Sequence, residues 1–275
     1  MSGMNAMTTR RKLAIASWTA PSEGNIYGKL RLDCTNVLRY IDHLRATTGE
    51  KVTMTHIVGR AVGLALAQTP SLNGRIFLGR YIPHDRVAVA FLVSIEEGGN
   101  LAKFKVEDVD KKGTGALARE LREGAQRLQK GQDAAFQKSQ GPLKLLPTWL
   151  IRPLVRLSGW LTACAGLSVP ALGLEQFPFG SCIITSVGMF GLDEGFAPHT
   201  PWAHVPLLVL IGAVTEQPAI VAGAVVARPE VVITATIDHR YLDGAQGGVL
   251  AKTLRALFAE PWKLDGLADA PWAAA

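Results

Sequence analysis

The chain is short of cysteine. Its three, Cys34, Cys164 and Cys182, lie far apart in 275 residues and form no CxxC pair. That argues against a disulfide scaffold or zinc ribbon and favours a reducing compartment. Charge is also scarce: charged residues make up 19% of the chain against 48% hydrophobic, so neither a disordered protein nor a coiled coil fits. Glycine and proline are plentiful but follow no period, which excludes collagen-like and low-complexity chains. No apolar stretch follows the basic cluster Arg10, Arg11 and Lys12, so the amino terminus does not read as a secretory signal. The one long uncharged run, 157–174, is broken by Gly159, Gly166, Pro170 and Gly173. It makes a poor spanning helix of the usual ~20 residues. The basic excess is modest, a formal charge of +6, and its densest cluster has no interleaved aromatics. Nucleic acid is therefore not an expected partner, whereas an anionic small molecule or a membrane surface is compatible. The expectation is a cytoplasmic protein with at most peripheral membrane contact.

What is present has an alternating α/β order. Residues 29–33 alternate polar and apolar, the period of a half-buried strand. Val37, Leu38, Ile41 and Leu44 then mark a helical face, with Thr35 as its expected cap. Residues 55–68 are apolar nearly all round, a buried helix stopped by Pro70. Residues 87–95 read as a central strand, 96–100 as a turn and 101–105 as the returning strand. Leu117, Leu121, Ala125 and Leu128 mark an amphipathic helix. Strands are expected at 181–187, 207–213 and 231–237, and a closing helix carries Val249, Leu250, Leu254, Leu257 and Phe258. The whole reads as one domain over 1–275, with helices against a mixed sheet.

The stretch 141–178 breaks this rhythm. It carries Pro142, Pro147, Pro153, Pro170 and Pro178 with Trp149, Trp160 and many leucines, and it reads as an apolar insertion. Leu150, Leu154, Leu157 and Leu161 recur at helical spacing, with Pro153 tolerated near a helix start. So large an apolar set needs a cover. Packing between subunits or onto the parent domain, a lid over a site and an interfacial helix carrying Arg152 and Arg156 are the three readings.

Chemistry concentrates at Ile237-Asp238-His239-Arg240-Tyr241-Leu242-Asp243-Gly244, between the last strand and the last helix. A histidine leaving a strand end, with a carboxylate four residues on, suits a general base with an orienting partner. A satisfied structural pair has the same spacing. Elsewhere His199 and His204, even with Asp193 or Glu194, match no metal-binding spacing, and no GxxxxGK[ST] loop is present. Ser17, Ser181 and Ser186 lack the GxSxG elbow. Cys182 reads as core rather than nucleophile. No metal is expected.

The octapeptide resembles the DHRxxDG signature of the dihydrolipoamide acyltransferases, the catalytic cores of 2-oxoacid dehydrogenase complexes. Residues 180–191, GSCIITSVGMFG, resemble that family's GTFTISNLGMFG, and Thr200 through Gly212 follow its TPxxxxPxxxILG. The family is related in fold to chloramphenicol acetyltransferase. The resemblance thus implies an α/β two-layer sandwich, a mixed sheet with helices on one face, assembled as a homotrimer with each active site between neighbouring subunits. It implies an acyltransferase that moves an acyl group between CoA and a dihydrolipoyl-like thiol. His239 would be the base and Thr185 the oxyanion donor, while Asp243 would hold the geometry through a basic partner.

Two departures shape the expectation. No DKA-type lipoylation turn or Ala/Pro-rich linker appears before residue 10. The core is thus expected to stand alone, without covalent lipoyl, and to serve a separate lipoylated or thiol-bearing carrier. Lys103 and Lys105 stand where the family has an apolar strand, on an exposed face or against an anion such as CoA or phospholipid. A non-catalytic trimeric scaffold and a small-molecule O-acetyltransferase are the alternatives. The intact His239, Asp243 and Thr185 set argues against the first, and the DHRYLDG form of the histidine motif against the second.

Overall fold

The computed structural model describes residues 24–95, 100–130 and 146–272; Arg10, Arg11, Lys12, Ser17, the turn at 96–99 and the start of the insertion at 141–145 lie outside them. Along the chain come β1 (Asn25–Asp33), α1 (Thr35–Thr48), α2 (Met54–Gln68), the hairpin strands β2 (Gly74–Phe77) and β3 (Arg80–Pro83), β4 (Val89–Ile95) and β5 (Asn100–Val106). They are followed by α3 (Thr114–Gln129), α4 (Thr148–Gly159), β6 (Cys182–Ser186), β7 (Leu207–Val221), β8 (Ala224–Asp238) and α5 (Gly244–Ala259). Six strands form one mixed sheet in the order β1-β8-β7-β6-β4-β5. Pairs β4–β6 and β6–β7 are parallel and the others antiparallel.

Alternation along the strands sorts the sheet into two unlike faces. Val89, Phe91, Cys182, Ile184, Leu207, Val209, Ile211, Val231 and Ile233 enter one core with Val37 and Ile41 of α1, Ile57 and Val58 of α2, Leu117 of α3 and Leu250 of α5. This is the helical layer. Residues of opposite parity, Ala90, Ile183 and Leu208, meet Phe179, Ala203 and Val205 instead. Loop segments rather than helices cover that second face: Thr234 and Thr236 donate their hydroxyls to the carbonyls of Gly195 and Ala197. The two-layer arrangement with helices on one face is therefore the observed one.

Long-range polar contacts lock the helices. Asp265 accepts the backbone N–H of Thr114 at 2.6 Å, the first residue of α3, and the Tyr40 hydroxyl at 2.7 Å from α1. Buried Arg60 of α2 donates to the carbonyls of Leu264 and Val109, both at 2.9 Å.

Several boundaries differ from expectation. Thr35 is not a cap: it is the first residue of α1, and Asp33 accepts its N–H at 2.7 Å. β7 and β8 run far beyond 213 and before 231, as a hairpin that turns at Ala222 and Gly223. A register shift between Ile211 and Val214 bends β7 there. Gly212 sits at this bend because a Cβ would lie 1.8 Å from the Asp193 carbonyl oxygen.

The insertion contains α4, continued by a π-helical turn at Trp160–Cys164. Its buried face is Ile151, Val155 and Gly159, not the expected Leu150, Leu154, Leu157 and Leu161. Leu154 and Leu157 face outward beside Trp149. Gly159 decides the docking, since a Cβ would lie 2.0 Å from the Trp202 carbonyl oxygen. Pro153 lies in the second turn rather than at the start, on the exposed side.

Candidate active site

The turn after β8 is built by its own side chains. Arg240 donates Nε to Asp238 Oδ1 and Oδ2, both at 3.0 Å, and a terminal nitrogen to Oδ2 at 2.5 Å. Its backbone N–H also reaches Oδ1, at 3.0 Å. Burial alone would raise the Asp238 carboxyl, but these Arg240 hydrogen bonds hold it below the usual carboxylate range. Tyr241 is buried beneath the turn and its hydroxyl accepts the Ile76 N–H at 3.1 Å. Burial pushes that phenol up to about 12, so it stays neutral. Asp238, Arg240 and Tyr241 form a support that sequence reasoning missed. An Asp two residues before an Arg at a strand end is the Asx-turn signal that could have found it.

His239 projects from this support and is exposed in the single chain. Its Nδ1 lies 2.7 Å from the Leu242 carbonyl oxygen. A carbonyl only accepts, so Nδ1 carries the proton and Nε2 presents its lone pair outward. That is the tautomer a general base requires.

Among the described residues Asp243 forms no ion pair. Its Oδ1 accepts the Ala245 N–H at 2.9 Å, and its own N–H donates to Gln246 Oε1 at 2.9 Å, capping α5 at its N-terminus. The carboxylate caps the orphan N–H groups of α5 and so acts on the turn through the helix.

Thr185 lies near the C-terminal end of β6, half-buried on the face without helices, and its hydroxyl has no hydrogen bond within the described residues. Within one chain it does not meet His239. Thr185 is level with Leu210 and hence with Thr234, whereas His239 lies five residues further along and two strands across. Strand geometry makes that separation roughly 15–20 Å.

The other candidates are settled by their surroundings. Cys34, Cys164 and Cys182 are buried, and burial raises all three thiols, so none is a ready nucleophile. Glu194 pairs with Lys29. Lys103 pairs with Glu175 and donates to the Pro178 carbonyl at 2.9 Å, and Lys105 donates to the Gln176 carbonyl at 3.1 Å. Both lysines thus pin the end of the insertion to β5. Among the described residues, no three His, Cys, Asp or Glu side chains cluster to hold a metal ion, and no helix is long and apolar enough to cross a membrane.

A family model for the 2-oxoacid dehydrogenases acyltransferase catalytic domain matches residues 6–141 and 170–265. The chain belongs to that family. The match leaves out residues 142–169. A dihydrolipoyllysine-residue acetyltransferase component of an acetoin cleaving system from Bacillus subtilis is 25% identical over 215 residues, 78% of this chain and 43% of the relative. The chain spans less than half the length of the curated relatives it matches. Among solved structures, a probable dihydrolipoamide acetyltransferase from Listeria monocytogenes superposes with a TM-score of 0.70 at 19% identity, covering 99% of both chains. An Azotobacter vinelandii dihydrolipoamide acetyltransferase, studied for a serine, a histidine and an asparagine in its catalytic mechanism, superposes at 0.66 and 18% identity over 93% of this chain and 87% of its own. A chloramphenicol acetyltransferase gives 0.50 at 13% identity over 92% and 96%. The acyltransferase domain thus has the chloramphenicol acetyltransferase-like fold.

Proposed function

We propose that this domain transfers an acyl group between CoA and a thiol of the dihydrolipoyl type, at a site shared by neighbouring copies in a homotrimer. The observation that carries the reading is the His239 Nδ1 contact with Leu242 O, which leaves Nε2 free to accept a proton. In this reading Nε2 takes the acceptor thiol's proton, and the thiolate attacks the acyl carbon of the thioester. A tetrahedral oxyanion forms. The Thr185 hydroxyl of the adjacent copy donates to it, which suits a hydroxyl with no hydrogen bond among the described residues. Collapse expels the CoA thiolate, which recovers the proton from the imidazolium.

The insertion supports a role as a wall of this site. Cys164 lies within electrostatic reach of Arg240, and Trp160 packs on Phe77 at 5.9 Å between centroids, in the hairpin whose Ile76 is held by Tyr241.

The test is turnover with acyl-CoA thioesters and dihydrolipoamide. His239→Ala is expected to lower kcat by about 10²–10⁴, the loss of general-base help. Wild-type rates from that variant with every thioester would overturn the assignment.

A further inference from the structure

A second cleft, of about 240 Å³, opens beside β2 and β3 and involves none of the residues assigned to acyl transfer. Arg75 of β2, His84 and Arg86 of the β3–β4 link, Lys105 of β5, and Phe177 line it, with Gly180 in its floor. Phe177 holds a left-handed backbone, φ 46°, uncommon for a bulky residue. Its ring meets that of His84 tilted at 55°, 4.5 Å between centroids, and lies 4.6 Å from the Arg75 guanidinium carbon.

The cations of the cleft are unequal. Arg86 pairs with Glu107 at 3.0 Å and Asp108 at 3.6 Å, and Lys105 lies 3.5 Å from Glu107 and 3.6 Å from Glu175. Arg75 makes no ion pair and no hydrogen bond with the described residues, and its Nε is buried without a partner. Asp85 also borders the cleft but forms no ion pair with Arg75. A guanidinium carbon 4.6 Å over an aromatic ring, in the lining of the cleft, brings there the planar group that grips an oxyanion through two parallel hydrogen bonds. The backbone of the neighbouring residue, Ile76, is tied to Tyr241, which holds the strand that carries Arg75.

We propose that this cleft binds the phosphate group of a small molecule, with Arg75 as its principal ligand and Lys105 as a flanking charge. The volume exceeds that of a bare ion: water occupies about 30 Å³ apiece, so the cleft holds several further atoms. A small phosphate monoester therefore fits better than free phosphate.

Thermal unfolding of the full chain, with inorganic phosphate and glycerol 3-phosphate as probes and sodium chloride at matched ionic strength as control, tests this. Wild type should show a saturable rise in Tm of about 2–4 °C with either phosphate at tenfold its Kd. Glycerol 3-phosphate should act at lower concentration; the reverse order would assign the site to free phosphate rather than to a monoester and would overturn that part. Arg75→Met should lose the response. Arg75→Lys, which keeps the charge but not the fork, should weaken it about tenfold. Lys252→Met, on α5, should respond like wild type. No saturable response, an equal response to chloride, or Arg75 variants indistinguishable from wild type by calorimetric titration would each overturn the proposal.

Discussion

A base and an oxyanion donor ask opposite things of their surroundings, and in their proposed roles His239 and Thr185 meet those demands differently. His239 needs its tautomer fixed, and one carbonyl of its own turn fixes it. Thr185 needs a hydroxyl left unspent, and β6 leaves it so. Thr185→Ala should cost about 10²–10³ in kcat, while Thr185→Ser keeps the donor and most of the rate. Asp243 belongs to a different class. As a helix cap, Asp243→Ala should lower stability by about 1 kcal/mol, read as a urea midpoint, and Asp243→Asn should restore it. An orienting ion pair would instead make the Asn variant as damaging as Ala, with unchanged stability. The motif DHRYLDG singles out His239 as the candidate base, because residue types carry that chemistry. The tautomer was not legible, because the group that fixes it is a main-chain carbonyl, identical in every residue.

Elements were most legible where one face alone is apolar. α3 is such a helix, and its buried set includes the expected Leu117, Leu121 and Leu128. α4 has apolar residues on both sides, so periodicity could not choose the face that docks. The choice falls to Gly159, where the helix touches backbone. Gly159→Ala should therefore force α4 away from Trp202, at a cost of about 1–3 kcal/mol, and should open 146–180 to limited proteolysis. Equal protease resistance in wild type and variant would show that the contact is not what seats the helix. α2 offers a pH test. The Thr53 N–H donates to His56 Nδ1 at 2.9 Å, a contact that needs the neutral ring. Burial lowers His56 to about 4, and burial with the Arg75 charge lowers His84 to about 4. Between their ordinary 6.5 and 4 the unfolded chain binds protons that the native chain refuses. Their contribution is thus complete above pH 6.5 and lost as pH falls toward 4. The urea midpoint should decline across that window, and His56→Gln should remove about one proton's worth of the slope. A midpoint flat from pH 6.5 down to 4.5 would contradict this.

At the scale of the whole molecule, the separation of Thr185 from His239 is the fact that function must accommodate. One chain cannot bring a hydroxyl and an imidazole to the same acyl carbon across roughly 15–20 Å of sheet. Closed rotational symmetry can, by setting the helix-free face of one copy against the β8 end of the next. The sequence could suggest this arrangement only through its likeness to the acyltransferase family, since residue order says nothing of a neighbouring copy. Subunit mixing decides it. His239→Ala and Thr185→Ala chains, each nearly inactive, are unfolded together in equal amounts and refolded. A shared site is intact where the histidine comes from a Thr185→Ala chain and the threonine from a His239→Ala chain, so random mixing should restore about a quarter of wild-type turnover. Sites confined to single chains would gain nothing from mixing, since every chain lacks one of the two groups. Sedimentation of the refolded mixture at the mass of a trimer, together with that partial recovery, would tie the chemistry to the assembly. Recovery absent from a trimer of normal mass would overturn the shared site.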